Sequence, residues 1–242
     1  MSNDIRQILV GVDFDAASEA VVTLAGTLAE ALHAQVAVFH AAPTNMPAYF
    51  TTEQVGELEA ERRQAQATLA TELRAFAARY TRVPLTVLTG EGPPADAILS
   101  QASGFDLIVL GTNRLGGLRR WWLGSVAEAV VRATRVPVLV VPAGRPTSRD
   151  DLARMVVIGA RSDVDAVVAS LQSALALTVT RTPSLLECTA DRLRGADLVV
   201  VPFGGGSGVG LEAAIDALKE CSHPLLFVPA AAGVREGDRH DC

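Results

Sequence analysis

The chain has 242 residues, long enough for one or two domains but not three. Apolar residues make up 49% and charged residues 20%, which excludes a wholly disordered or collagen-like chain. Twenty-seven Asp and Glu against 21 Lys and Arg leave a net charge of −6, which argues against a general binder of nucleic acid or anionic membrane.

In chain order, Ile8 to Val12 is a continuous apolar run, too short for a helix and typical of a strand buried on both faces. From Ser18 to Leu32 apolar residues recur at helical spacing, at Val21, Leu24, Ala25, Leu28 and Leu32. Gln35 to His40 reads as a second strand, Met46 to Thr52 as a connector, and Glu53 to Tyr80 as a long charged helix. Leu58, Ala65, Leu69, Leu73 and Phe76 share one side of that helix. Leu85 to Leu88 is a third strand, Ala95 to Ala102 a helix and Asp106 to Leu110 a fourth strand. A Gly- and Arg-rich loop leads to a helix over Val126 to Ala133 and a fifth strand over Val136 to Val141. Strands separated by helices imply right-handed crossovers and a parallel sheet covered on both faces. The expected fold class is therefore α/β, doubly wound, with strand order 3-2-1-4-5.

The polar stretch Thr147 to Asp151 marks a boundary, and an internal repeat follows it. Read without a gap, Val156 to Asp163 aligns on Ile8 to Asp15, Gly195 to Val201 on Gly104 to Leu110, and His223 to Pro229 on Val136 to Pro142. Three matches in one order indicate duplication. Between Leu177–Arg181 and a helix over Ser184–Arg194 almost nothing remains, so the second sheet should lack strand three and its helix. The expected division is residues 1–146, residues 150–230 and a disordered tail over 231–242. No uncharged apolar stretch reaches 18 residues, so no membrane span is expected. The first residues lack a signal-peptide pattern, and Cys188, Cys221 and Cys242 form neither a metal motif nor a disulfide framework. A reducing, cytoplasmic setting is the expectation.

The strongest chemical signal is the loop Gly111-Thr112-Asn113-Arg114-Leu115-Gly116-Gly117 running on to Gly124-Ser125. In doubly wound sheets ligands sit outside the carboxyl ends of the strands. A glycine directly after a strand permits close approach of a phosphate. Gly124-Ser125 before a helix offers N–H groups, a hydroxyl and the positive end of the helix dipole. Arg114, Arg119 and Arg120 add cationic donors. The competing reading is a plain loop ending in an N-cap. Asp13 lies at the same edge, where it either accepts from ribose hydroxyls or, like Asp15, caps the next helix. His40 reads more as a satisfied edge residue than as a catalyst, and Trp121 and Trp122 as packing of the loop or a partner contact. Gly204 to Gly208 imitates an anion loop. It is shorter than its counterpart, Leu211 and Glu212 stand where Gly124 and Ser125 stand, and Arg161 stands at Asp13. The second site therefore reads as dead.

Ile8 to Phe14, Val38 to Ala41, Gly111 to Arg114, Gly124 to Glu128 and Val136 to Val141 together resemble the universal stress protein domain. The first half is similar along its whole length, and the second resembles a truncated, degenerate copy, as in a tandem member. The resemblance implies ATP, with or without Mg2+, bound through a signature G-x-x-G, nine residues, then G-S or G-T. Gly111 and Gly124-Ser125 match it, whereas Arg114 stands where the second glycine belongs. Asp13 matches the family's ribose-contacting acid and Ala41 the position whose backbone meets adenine. The implied nucleotide site comprises Gly11, Asp13, Ala41, Gly111, Thr112, Asn113, Arg114, Leu115, Gly116, Gly117, Gly124, Ser125, Val126 and Ala127. It also implies dimerisation through the last strand, here expected as an intramolecular pseudo-dimer, with a homodimer of chains optional. The partner protein it regulates is unknown. Against this ATP-binding, non-enzymatic stress-response regulator stands a structural or interaction protein of the same fold whose site is blocked by Arg114. An ATP-consuming enzyme is disfavoured, since no Walker lysine, paired catalytic carboxylates or S-G-G-x-D-S loop is present.

Overall fold

The apolar runs form strands and the periodic stretches form helices. The computed structural model describes residues 5–42, 52–112, 123–143, 148–159, 161–184, 193, 195–204, 211–217 and 223–230. Its first half runs β1 (Gln7–Gly11), α1 (Ala16–Leu32), β2 (Gln35–Ala42), α2 (Thr52–Ala77), β3 (Leu85–Glu91), α3 (Pro94–Gln101), β4 (Leu107–Thr112), α4 (Ser125–Ala133) and β5 (Val138–Pro142). The second runs β6 (Arg154–Ile158), α5 (Ser162–Leu175), β7 (Thr178–Thr182), β8 (Leu198–Phe203), α6 (Leu211–Ala217) and β9 (Leu225–Pro229). The second and third strands reach further than their apolar runs, because backbone pairing continues through His40↔Thr89, Ala41↔Gly90 and Ala42↔Glu91. The connector over 46–52, the helix expected over 184–194 and the tail fall wholly or mostly outside the described residues.

The nine strands among the described residues lie in one sheet of order β3-β2-β1-β4-β5-β9-β8-β6-β7. Every pairing is parallel except β5 with β9. That join is antiparallel, with Leu139 opposite Leu226 and flanked by Val138↔Phe227 and Val140↔Leu225. Since Val138, Leu139 and Val140 correspond in the repeat to Leu225, Leu226 and Phe227, the join has local two-fold symmetry centred on the two leucines. The expected edge-to-edge pairing of the two last strands is thus present within the chain. One face of the sheet packs Ile8, Val10, Leu107, Val109 and Leu139 under α1, the end of α2 and α5. The other packs Leu9, Phe39, Ile108, Leu110 and Val140 under α3, α4 and α6. Helix α1 also touches α5, bridging the halves on the first face.

The two halves share a hydrogen-bond pattern. Asp106 Oδ2 accepts from the backbone N–H groups of Arg6 and Gln7, both at 2.9 Å. Asp197 Oδ2 accepts from those of Ala153 and Arg154, at 3.0 and 2.9 Å. Each acid therefore ties the start of its half's first strand to the strand beside it.

These bonds correct the gapless alignment by one residue. Ile8 pairs with Leu107 as Met155, not Val156, pairs with Leu198. The faces agree, since Ile8 and Met155 belong to one core and Leu9 and Val156 to the other. A one-residue slip would send every side chain of β6 to the wrong face. In the helices, Val21, Leu24, Ala25 and Leu28 of α1 stand where Val164, Val167, Val168 and Leu171 of α5 stand, all buried. Six residues (13–18) separate Val12 from Glu19, whereas two (160–161) separate their counterparts Gly159 and Ser162. Four residues are missing from the second copy at that corner, so α5 is shorter by about one turn. The acid-bearing segment has been cut out, and Arg161 does not replace Asp13.

Candidate functional site

The carboxyl ends of β2, β1 and β4 lie side by side, with Gly11 paired to both Phe39 and Leu110. Strand β2 runs three residues past that pairing, so His40, Ala41 and Ala42 overhang the end of β1. Gly11, Asp13, Ala41, Gly111 and Thr112 all lie at this carboxyl edge of the sheet. Asn113, Arg114, Leu115, Gly116 and Gly117 lie outside the described residues. Gly124, Ser125, Val126 and Ala127 open α4, the helix that follows β4.

The acid at the edge is separable from the acid that caps. Asp15 Oδ1 accepts from the Ser18 N–H at 2.8 Å and from the Ser18 hydroxyl at 2.7 Å, so Asp15 is the N-cap of α1. The Asp13 backbone N–H donates to Ser18 Oγ at 2.9 Å. The Asp13 side chain is left 83% exposed, 3.9 Å from Nδ1 of His40. His40 Nδ1 lies 2.8 Å from the Val12 carbonyl oxygen, which can only accept, so that nitrogen carries the proton. His40 is thereby an edge residue with a structural bond, as its sequence context suggested.

The glycines divide by purpose. A Cβ on Gly111 would come within 2.9 Å of Ala17 Cβ and 3.1 Å of Val21 Cγ2, so this glycine lets β4 and α1 close on each other. A Cβ on Gly11 would meet Leu110 Cδ2 at 2.6 Å. Both are explained by packing, and the phosphate-approach argument for Gly111 is not needed. Gly124 is different: φ is +74°, ψ is 141°, and a Cβ there would meet no atom of the described residues within 4 Å. Its conformation is one that side-chain-bearing residues avoid. Gly124 has no side chain with which to cap α4, and the helix's first internal bond runs from the Glu128 N–H to the Gly124 carbonyl at 2.9 Å. The N–H groups of Ser125, Val126 and Ala127 therefore have no partner within the helix, and the positive end of the helix dipole coincides with them. Such an end accepts an anion.

The corresponding corner of the second half is bridged by an arginine. Arg161 Nη1 donates to the carbonyl oxygens of Phe203 and Gly204, at 3.0 and 3.1 Å, spanning from the end of β6 to the end of β8. Glu212, at the first turn of α6, pairs with Arg132 of α4 at 2.5 Å. Arg132 also donates to Glu128 at 2.7 Å. Glu128 first and Glu212 second hold the Arg132 guanidinium above its ordinary pKa. The position equivalent to Ser125 thus serves the contact between halves. Sequence reasoning missed this use of Glu212. It also missed Phe14, whose ring packs edge-on against His40 and Phe76, with centroids 5.1 and 5.4 Å away. The only signal in the sequence was an aromatic residue at a strand-to-helix corner.

Among the described residues no three His, Cys, Asp or Glu side chains converge to hold a metal ion, and no helix is long and apolar enough to cross a membrane. The sequence is 30% identical over 138 residues to the universal stress protein Mb2028c of Mycobacterium bovis, a stretch covering 55% of this chain and 44% of that relative. The chain thus spans less than half the length of this relative. A universal stress protein of Thermus aquaticus is 44% identical over 75 residues, covering 30% of this chain and 55% of the relative. The crystal structure of a universal stress protein from Archaeoglobus fulgidus superposes with a TM-score of 0.56, covering 93% of this chain and 97% of that one. At 13% identity that likeness is one of fold. The sequence pattern of the Universal stress protein family matches residues 4–142, more than half of the chain, and so the chain belongs to that family.

Proposed function

We propose that the protein is an ATP-binding regulator of the stress response that takes one nucleotide per chain, in the first half. The observation that carries this reading is the contrast between equivalent corners. One presents an exposed carboxylate on the sheet edge from which β4 leads to a helix started by a glycine, and the other has four fewer residues and is bridged by Arg161. Asp13 would accept from the ribose hydroxyls, the backbone at Ala41 would meet the adenine, and Gly124 to Ala127 would take the phosphates. Gly124 and the three N–H donors after it fit such an anion. A Mg2+ ion would arrive on the phosphates, as that ion commonly does. The role of bound ATP here is to be bound. Residues 1–146 form the nucleotide-binding unit on this reading, residues 150–230 are a companion domain of tandem origin, and the setting is the cytoplasm, where unpaired cysteines are ordinary.

Calorimetry and thermal shift of the full chain test this. A ligand confined to the folded state adds about 2.7 kcal/mol at 100 times its Kd. Asp13→Ala should weaken binding about tenfold, the worth of a hydrogen bond to a charged group. Gly124→Glu should abolish it by setting a carboxylate against phosphate, and Arg161→Ala should leave it unchanged. No heat and no shift with millimolar ATP and Mg2+ would falsify the reading and favour a scaffold of the same fold, and two sites per chain would overturn the assignment of the second half.

A further inference from the structure

We propose that Phe14 is a positioning residue of the nucleotide site, a strained aromatic corner that aims the Asp13 carboxylate at the ribose. The proposal rests on the nucleotide reading above. Three described non-glycine residues have positive φ: Phe14, His33 and Ala176, at +55°, +55° and +56°. His33 and Ala176 terminate α1 and α5, where a left-handed residue is the ordinary helix stop. Phe14 terminates nothing. It precedes a helix, and a bulky aromatic in this region is an outlier that persists only when its surroundings enforce it. It is also the one large apolar side chain among the described residues that is exposed, at 38%.

The surroundings that enforce it are on both sides of Asp13. Before Asp13, the Val12 carbonyl is held by His40 Nδ1. At Asp13, the backbone N–H is held by Ser18 Oγ, itself held by the capping Asp15. After Asp13, the Phe14 ring is wedged edge-on between His40 and Phe76, and Phe76 leans on Tyr80 at 5.2 Å. The backbone is thus pinned on either side of a side chain that is itself 83% exposed. An exposed carboxylate on a fixed stem is what recognition of a vicinal diol needs, since the ordering cost is met before the ligand arrives. The second half supplies a comparison. That half has four fewer residues at this corner, and Arg161, the residue that leads into α5, is extended at φ −135°. Among the described residues, a non-glycine residue with positive φ stands at this corner only in the half that keeps the acid.

The test compares ATP with 2′,3′-dideoxy-ATP by calorimetry on the full chain. Wild type should prefer ATP about tenfold, the worth of a hydrogen bond to a charged group. Phe14→Gly, which accepts positive φ but removes the wedge, should lose most of that preference while its affinity for the dideoxy nucleotide stays within about twofold, as with Asp13→Ala. Phe14→Tyr should restore the preference. If Phe14→Gly does not fold, Phe76→Leu removes the ring's support from α2 without touching the corner and should lower the preference several-fold. Retained preference in these variants, or equal weakening of both nucleotides, overturns the proposal and leaves the nucleotide reading standing. Wild type that binds both nucleotides equally also overturns it. Wild type that binds neither overturns the nucleotide reading and this proposal with it.

Discussion

Replacing Gly111 by alanine separates two uses of one glycine. The added Cβ would lie 2.9 Å from Ala17 Cβ, 3.1 Å from Val21 Cγ2 and 3.5 Å from the Ala17 carbonyl carbon. None of these is the loose end of a long side chain. Ala17 and Val21 are 3% and 0% exposed, and the start of α1 is held by the Asp15 cap. Relief therefore requires β4 or α1 to shift, and overpacking of this kind costs about 1–3 kcal/mol. Each kcal/mol moves Tm by about 2–4 °C in a chain of this size. Gly104→Ala is the control, since a Cβ there meets nothing within 4 Å, and it should change stability by less than about 0.5 kcal/mol. Calorimetric melting without nucleotide measures both. If Gly111→Ala melts like wild type yet loses ATP, the glycine is kept for the ligand and the packing argument is wrong.

Three other outcomes follow from the same contacts. Asp106→Ala and Asp197→Ala should each cost about 1–2 kcal/mol in urea melts, having lost two charge-assisted bonds at exposed strand starts. Their effects should add, because β5 and β9 lie between β4 and β8; a double variant no worse than one single would show that the two acids are not equivalent ties. Asp15→Ala should cost about 1 kcal/mol as a lost N-cap and should also weaken ATP, since Ser18 then loses the partner that orients it toward Asp13; unchanged affinity would show that Asp13 holds its place alone. The Tyr80 phenol donates to Glu19 at 2.7 Å, and that bond, with some burial, raises its pKa. The bond's contribution is complete below the unfolded phenol's value of about 10 and is lost as pH climbs through the raised folded value, so an ultraviolet titration should lose its latest component in Tyr80→Phe.

How much was legible in the sequence depended on what the chain advertises locally. The strands announced themselves as apolar runs, and Gly111 and Gly124-Ser125 marked the end of β4 and the start of α4. The repeat was visible too, but its register was not. Both Ile8–Val10 and Met155–Ile158 are buried on both faces, so no alternation of polar and apolar residues fixes which residue faces which way. A shared glycine drew Gly159 onto Gly11, whereas the sheet pairs it as the counterpart of Val12. The reason for Gly111 lies in Ala17 and Val21, about ninety residues away in sequence and in contact only through the fold. The strain at Phe14 is likewise set by His40 and Phe76, and nothing in the run Val12-Asp13-Phe14-Asp15 displays it.

The antiparallel join of β5 to β9 has a consequence for how the molecule responds to dilution and to mutation. Edge strands of separate subunits come apart as the protein is diluted, and their pairing then depends on how much is made. Here both strands belong to one chain, so their pairing is a unimolecular step with the same occupancy at any expression level. The exposed edge that each strand would otherwise offer to strangers is closed before another chain can reach it. A defect at Leu226 is therefore carried to Leu139 of the same molecule every time, and a healthy copy expressed beside it cannot lend a replacement strand without first displacing the tethered one.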